Sequence, residues 1–253
     1  MASCWKQCQE RSDKKFCVRA ADNPSNCYKQ AQAASVQAAK AMGGMITLPG
    51  LVRAFHGGKS VRLIAILRNP ADRLYAAWKH YPHYPKQYGS GLQGFDKYIA
   101  EQIAGFRSCT ARHSTKDCAL YFESIAPEYE DVFYHCDQLI KGMYSVFVSD
   151  WIQAFGRDAF LAIRAEEYYQ DPKRVLKQVF RHLRLEDELS MSEWAKFLDH
   201  PIKKPDRGIH KSIAGEDLPT ELPATQRRVL ESFYSEFNNE LSTMLDDDAF
   251  LWR

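Results

Sequence analysis

Val61-Arg62-Leu63-Ile64-Ala65-Ile66-Leu67, followed at once by Arg68-Asn69-Pro70-Ala71-Asp72-Arg73-Leu74-Tyr75, is the stretch on which the fold turns. Six of the seven residues before Arg68 are apolar, a length and composition that predict a buried parallel strand. Asn69-Pro70 then forces a turn, and from Asp72 onward the pattern is helical. Arg68 therefore stands at the carboxyl end of a strand and beside a helix amino terminus. A guanidinium there offers bidentate donors and a helix start offers unpaired amides, which together suit a dianionic phosphate. An ordinary surface turn is the alternative.

Working outward, Leu51 to Phe55 reads as a short apolar helix that reaches the strand through Gly57-Gly58. Asp171-Pro172 opens a helix with an acidic cap and proline in its first position, with Val175, Leu176, Val179, Phe180 and Leu183 at core spacing. A further helix begins near Pro223, its stripe formed by Val229, Leu230, Phe233, Phe237, Leu241 and Leu245. Alternating strands and helices predict an α/β fold, a parallel sheet flanked by helices. Residues 80–95, with Pro82, Pro85, Gly89, Gly91 and Gly94, read as an irregular loop; in it Tyr81, Tyr84, Tyr88 and His83 are placed either to stack on a sugar or simply to pack. The chain divides into a polar, cysteine-bearing and partly helical segment at 1–50, with a helix expected over 30–42, and a main domain at 51–253.

Composition sets wider bounds. A chain of 253 residues with 45% hydrophobic and 26% charged content buries a substantial core. A net charge of +2 is too small to point to nucleic acid, and no aromatic-basic module supports such a partner. No run of eighteen apolar residues exists and the first residues lack a secretory apolar core, so membrane attachment would need an anchor not present in this chain. Of seven cysteines, Cys4, Cys8, Cys17 and Cys27 cluster early, Cys109 and Cys118 flank a basic stretch, and Cys136 stands apart. Their pattern favours disulfides, a local one at 109–118 included, and hence a secretory compartment. Unpaired thiols rank second; zinc ranks last, because the spacings match no common finger, and no metal is expected.

Arg-Asn-Pro-x-Asp-Arg-Leu-Tyr after an apolar strand resembles the segment with which Golgi carbohydrate sulfotransferases hold the 3'-phosphate of 3'-phosphoadenosine 5'-phosphosulfate. The resemblance extends to Leu139–Phe147, to Asp150-Trp151-Ile152-Gln153-Ala154-Phe155, and to Phe160–Ile163 with the acidic pair Glu166-Glu167 before Tyr168. It runs from about Leu51 to Trp252. In that order these pieces are similar to the glycosaminoglycan-type enzymes, above all the branch of N-acetylgalactosamine 4-sulfate 6-O-sulfotransferase. The resemblance implies a P-loop-like sulfotransferase fold, 3'-phosphoadenosine 5'-phosphosulfate as sulfate donor, a carbohydrate or glycosaminoglycan-like acceptor and the Golgi lumen as location.

Carried onto this chain, the resemblance implies cofactor binding by Arg68 and Arg73, the latter open also to a structural ion pair. The basic loop Ile202–Ser212 matches the family's cofactor-covering loop in position and character; it brings Arg207, Gly208 and Lys211 as further cofactor ligands, or is a solvated charged loop. For the base that deprotonates the acceptor, His80, His83, His135, Glu166 and Glu167 are candidates without an assignment. Two departures stand out. Ala76 replaces the family's serine, removing a hydrogen bond to the phosphate worth about tenfold to hundredfold in affinity. The Pro-Lys-x-Gly-Thr-Thr loop that cradles the 5'-phosphosulfate is missing, so the sheet is expected to be incomplete at its amino-terminal side. Enzyme and non-catalytic binding domain for nucleotide or sulfated glycan thus both stay open, and a nucleotide kinase is disfavoured for want of a phosphate loop.

Overall fold

The computed structural model describes residues 47–56, 61–120, 138–185, 196 and 218–253. The apolar run forms β1 (Leu63–Leu67), preceded by helix α1 (Leu48–His56) and followed by α2 (Pro70–His80). Then come α3 (His83–Tyr88), α4 (Gly91–Thr110) and α5 (Thr115–Leu120). After the next described stretch, α6 (Tyr144–Phe155) leads through a short 3-10 turn to β2 (Phe160–Arg164). Helices α7 (Ala165–Gln170), α8 (Pro172–Leu183) and α9 (Ala224–Leu245) complete the order.

β1 and β2 pair in parallel, with Leu63 opposite Phe160 and Leu67 opposite Arg164. Both strands thus end side by side, at one edge. Leu63, Ala65 and Leu67 face the core with Tyr144, Val148, Phe160, Leu241 and Trp252. The alternate residues Ile64 and Ile66 are exposed, at 40% and 61%, so among the described residues one face of β1 is uncovered. A second, larger core surrounds Trp78, where Tyr75, Tyr84, Tyr88, Phe95, Tyr98 and Phe106 meet.

That aromatic core corrects the loop expected at 80–95. Tyr84 and Tyr88 sit one turn apart on α3, on one helical face, and both are buried against Trp78 and Tyr98. They are packing residues and cannot stack on a sugar. Tyr81 and His83 remain at the surface. Gly94 has a packing reason of its own, since a Cβ there would collide with the Gly89 carbonyl and meet Trp78.

The other helix expectations hold with local adjustments. Asp171 caps α8, its Oδ1 accepting from the Arg174 amide at 3.0 Å ahead of Pro172. On α8 only Val175 is fully buried, while Leu176, Val179, Phe180 and Leu183 are half-buried. The α9 stripe buries Leu230, Phe237, Leu241 and Leu245 and half-buries Phe233, while Val229 points outward and Tyr234 takes a core position instead. A disulfide joins Cys109 at the end of α4 to Cys118 on α5, as the spacing suggested, and both residues are buried. The other five cysteines and the 30–42 helix lie outside the described residues.

Candidate functional site

The turn after β1 is built by three independent restraints. Asn69 caps α2: its Oδ1 accepts from the amides of Ala71 at 2.9 Å and Asp72 at 3.3 Å. Its own backbone N–H donates to Glu166 Oε1 at 2.7 Å, which ties the end of β1 to the start of α7 just beyond β2. Tyr144, at the start of α6, donates its hydroxyl to the Arg68 carbonyl at 2.9 Å. Burial holds the Tyr144 phenol above its ordinary pKa, against the pull of Arg73 and Arg68, so it stays a donor at neutral pH.

These contacts change the expected chemistry of the helix start. Pro70 has no N–H, Asn69 takes the next two amides with its side chain, and the Arg73 amide bonds the Asn69 carbonyl at 2.9 Å. No free amide is left in the first turn of α2. The charged group left available at this turn is the side chain of Arg68. Its side chain is exposed at the strand end, and its guanidinium makes no hydrogen bond or ion pair with any described residue.

Arg73 is placed differently. Its guanidinium donates to Gln138 Oε1 at 3.2 Å and also to the Gln138 carbonyl. It neighbours Tyr234, whose buried hydroxyl donates to the Leu139 carbonyl at 2.8 Å. Arg73 Nε is buried without a partner among the described residues. Arg73 therefore knits α2, the 138–143 turn and α9 together behind the strand end. Arg207, Gly208 and Lys211, and His135, lie outside the described residues.

Glu166 and Glu167, read from sequence as capping, bridging or catalytic, are both engaged. Glu166 Oε2 accepts from Trp252 Nε1 at 3.3 Å and lies 3.8 Å from Arg164 Nε. Glu167 pairs with Arg174 at 2.7 Å and Arg164 at 3.7 Å. His80 and His83 are exposed beside Tyr81, their rings 5.0 Å and 5.6 Å from its ring.

A cation that sequence reasoning passed over stands on the same helix. Lys79 donates to the Thr220 carbonyl at 2.9 Å and lies 4.4 Å over the Tyr75 ring. Tyr75 in turn donates to the Pro219 carbonyl at 2.7 Å, and burial pushes its pKa up to about 12. Residues 219–220 are thereby fastened to α2. Lys79 stands three residues after Ala76 on the same helix, so the two share a face.

The parallel strands thus end beside an exposed arginine, on a turn locked from three sides, in an α/β arrangement. The chain belongs to the sulfotransferase domain family, whose model matches residues 48–246. It is similar to carbohydrate sulfotransferase 15 of mouse, 28% identical over 192 residues, which is 76% of this chain and 31% of that protein. The human protein of the same name is 27% identical over 194 residues, covering 77% and 31%. The chain thus spans about a third of the length of the curated relatives it matches. A solved sulfotransferase from Alicyclobacillus acidocaldarius aligns with 81% of this chain and 63% of its own, at 19% identity and a TM-score of 0.44.

Proposed function

We propose that this domain binds 3'-phosphoadenosine 5'-phosphosulfate at the carboxyl edge of the sheet and serves sulfate transfer to a carbohydrate hydroxyl, in the Golgi lumen, on a glycosaminoglycan-like acceptor. The observation that carries the reading is Arg68: an exposed guanidinium without an acidic partner among the described residues, on a turn whose backbone is locked by Asn69, Glu166 and Tyr144. The locked backbone fixes where the guanidinium starts from, and with no partner to give up among the described residues it is available to a phosphate as a bidentate donor. The names of the curated relatives support the carbohydrate acceptor, and the Cys109–Cys118 disulfide agrees with a luminal location.

The donor nucleotide, when bound, supplies a sulfuryl group: its bond to the 5'-phosphate oxygen breaks as a bond to the acceptor oxygen forms, and the acceptor proton passes to a base. The residues of this chain do the holding. Arg68 meets the 3'-phosphate as a bidentate donor, Arg73 supports the turn from behind, and Arg207, Gly208 and Lys211 are assigned to closing over the nucleotide. Glu166 and Glu167 are positioning residues, since their carboxylates are engaged by Asn69, Trp252, Arg164 and Arg174. The domain at 51–253 is the unit that carries this site.

A second reading has its own support: residues 1–60 contain no Pro-Lys-x-Gly-Thr-Thr loop and Ala76 stands in place of serine, which favours a non-catalytic domain that holds nucleotide or sulfated glycan. Calorimetric titration with 3'-phosphoadenosine 5'-phosphate tests the shared premise. Micromolar binding that is lost in Arg68→Ala supports the site, and absence of binding by the wild-type chain overturns the nucleotide site and leaves only the sulfated-glycan form of the second reading. Labelled sulfate transfer to a panel of glycans then separates the first from the second.

A further inference from the structure

We propose that Lys79 is the second cation of the phosphate site, meeting the 3'-phosphate from the helical face on which Ala76 offers no hydrogen-bonding group. The proposal rests on the nucleotide reading above and adds a ligand to it. Ala76 and Lys79 are three residues apart on α2 and so share a face. A long helical side chain leans toward the amino terminus of its helix, which here is the Arg68 turn.

The ammonium is held in place yet only partly used. It donates to the Thr220 carbonyl at 2.9 Å and covers the Tyr75 ring at 4.4 Å, whereas an ammonium has three donors. No carboxylate pairs with it among the described residues. Asp72, on the same helix, is engaged by Arg227 at 2.7 Å. Burial, and after it the field of Arg68, hold the Lys79 ammonium below its ordinary pKa, with Asp72 opposing. Two cations within reach of each other's field repel, and an anion shared by both reverses the sign of that interaction. A phosphate monoester near −2 fits such a pair; a neutral acceptor hydroxyl does not.

Calorimetry on wild type, Lys79→Gln and Ala76→Ser/Lys79→Gln, each titrated with 3'-phosphoadenosine 5'-phosphate and with adenosine 5'-phosphate, separates the alternatives. Lys79→Gln is expected to weaken the bisphosphate by about tenfold or more and to leave the monophosphate within about twofold, because the latter lacks the phosphate in question. The added serine is expected to recover part of the loss. Lys79→Met, which keeps the apolar stem over Tyr75, replaces the glutamine variant if thermal melts show that variant unfolded. An equal loss for both nucleotides, or no loss for either, overturns the role of Lys79 while the nucleotide site stands. A wild-type chain that fails to bind the bisphosphate overturns the nucleotide reading itself.

Discussion

Replacing Glu166 by alanine is expected to destabilise the domain far more than replacing its neighbour Glu167. Glu166 Oε1 is the acceptor for the Asn69 amide at 2.7 Å, and Asn69 is only 8% exposed. Deleting the carboxylate strands a buried N–H and removes a charge-assisted bond, at about 1.5–3 kcal/mol. The longer bond from Trp252 at 3.3 Å adds about 0.5 kcal/mol, and the 31% exposed carboxylate lets water recover part of the total. The sum is roughly 2–3 kcal/mol, which for a domain of this size lowers Tm by about 4–12 °C. Glu167 bonds Arg174, whose side chain is 49% exposed, and such pairs contribute about 0–1 kcal/mol. Differential scanning fluorimetry on the two alanine variants is the assay, with nucleotide titration alongside. Equal shifts, or a Glu166→Ala shift under about 2 °C, would refute the view that this carboxylate holds the strand-end turn.

Tyr144→Phe deletes only the hydroxyl bonded to the Arg68 carbonyl; a stability loss of about 1 kcal/mol and weaker nucleotide binding are expected, read by urea unfolding and calorimetry. Cys109→Ala/Cys118→Ala opens the loop of nine-residue separation between α4 and α5 and should cost about 2–3 kcal/mol in urea unfolding, with reducing agent producing a similar change in wild type but none in the variant. His182 accepts a pH role: its ring lies 3.1 Å from the Leu63 carbonyl, and burial, followed by Arg62, holds its pKa below the ordinary 6.5. The unfolded chain therefore takes up the proton first as pH falls through 6.5, so stability declines there and levels off below the folded pKa. Melts of His182→Gln across that range should show a shallower slope than wild type.

The parts of the fold legible in sequence are those governed by local chemistry. Asp171-Pro172 and Asn69-Pro70 announce helix starts because a short acceptor side chain before proline does one thing well, and both caps are present. The strand 61–67 is visible as an apolar run broken only by Arg62, and the strand itself begins just after that residue, at Leu63–Leu67. What sequence could not show was direction. Arg68 and Arg73 look alike in the motif, yet one is exposed and the other is engaged by Gln138, 65 residues away. Tyr84 and Tyr88 were hidden behind Pro82 and Pro85, which suggest a loop until the one-turn spacing of the tyrosines is weighed. Glu166 declares its role only through partners remote in the chain, and Val229 continues a stripe in sequence that the packing of α9 abandons for Tyr234.

The bond from Trp252 to Glu166 also bears on the order in which the molecule matures. Glu166 joins a partner 97 residues before it to another 86 residues after it. During synthesis the Arg68 turn emerges early, but its first outside restraint emerges only with Tyr144 at the start of α6, the next with Glu166 on α7, and the bond that steadies Glu166 only with Trp252. Contacts of such separation form late, because the chain between them must be closed before they contribute. The β1 segment and its turn are thus present long before they are held in their final shape, and nascent chains that stop short of Trp252 should carry the Arg68 turn more loosely fixed.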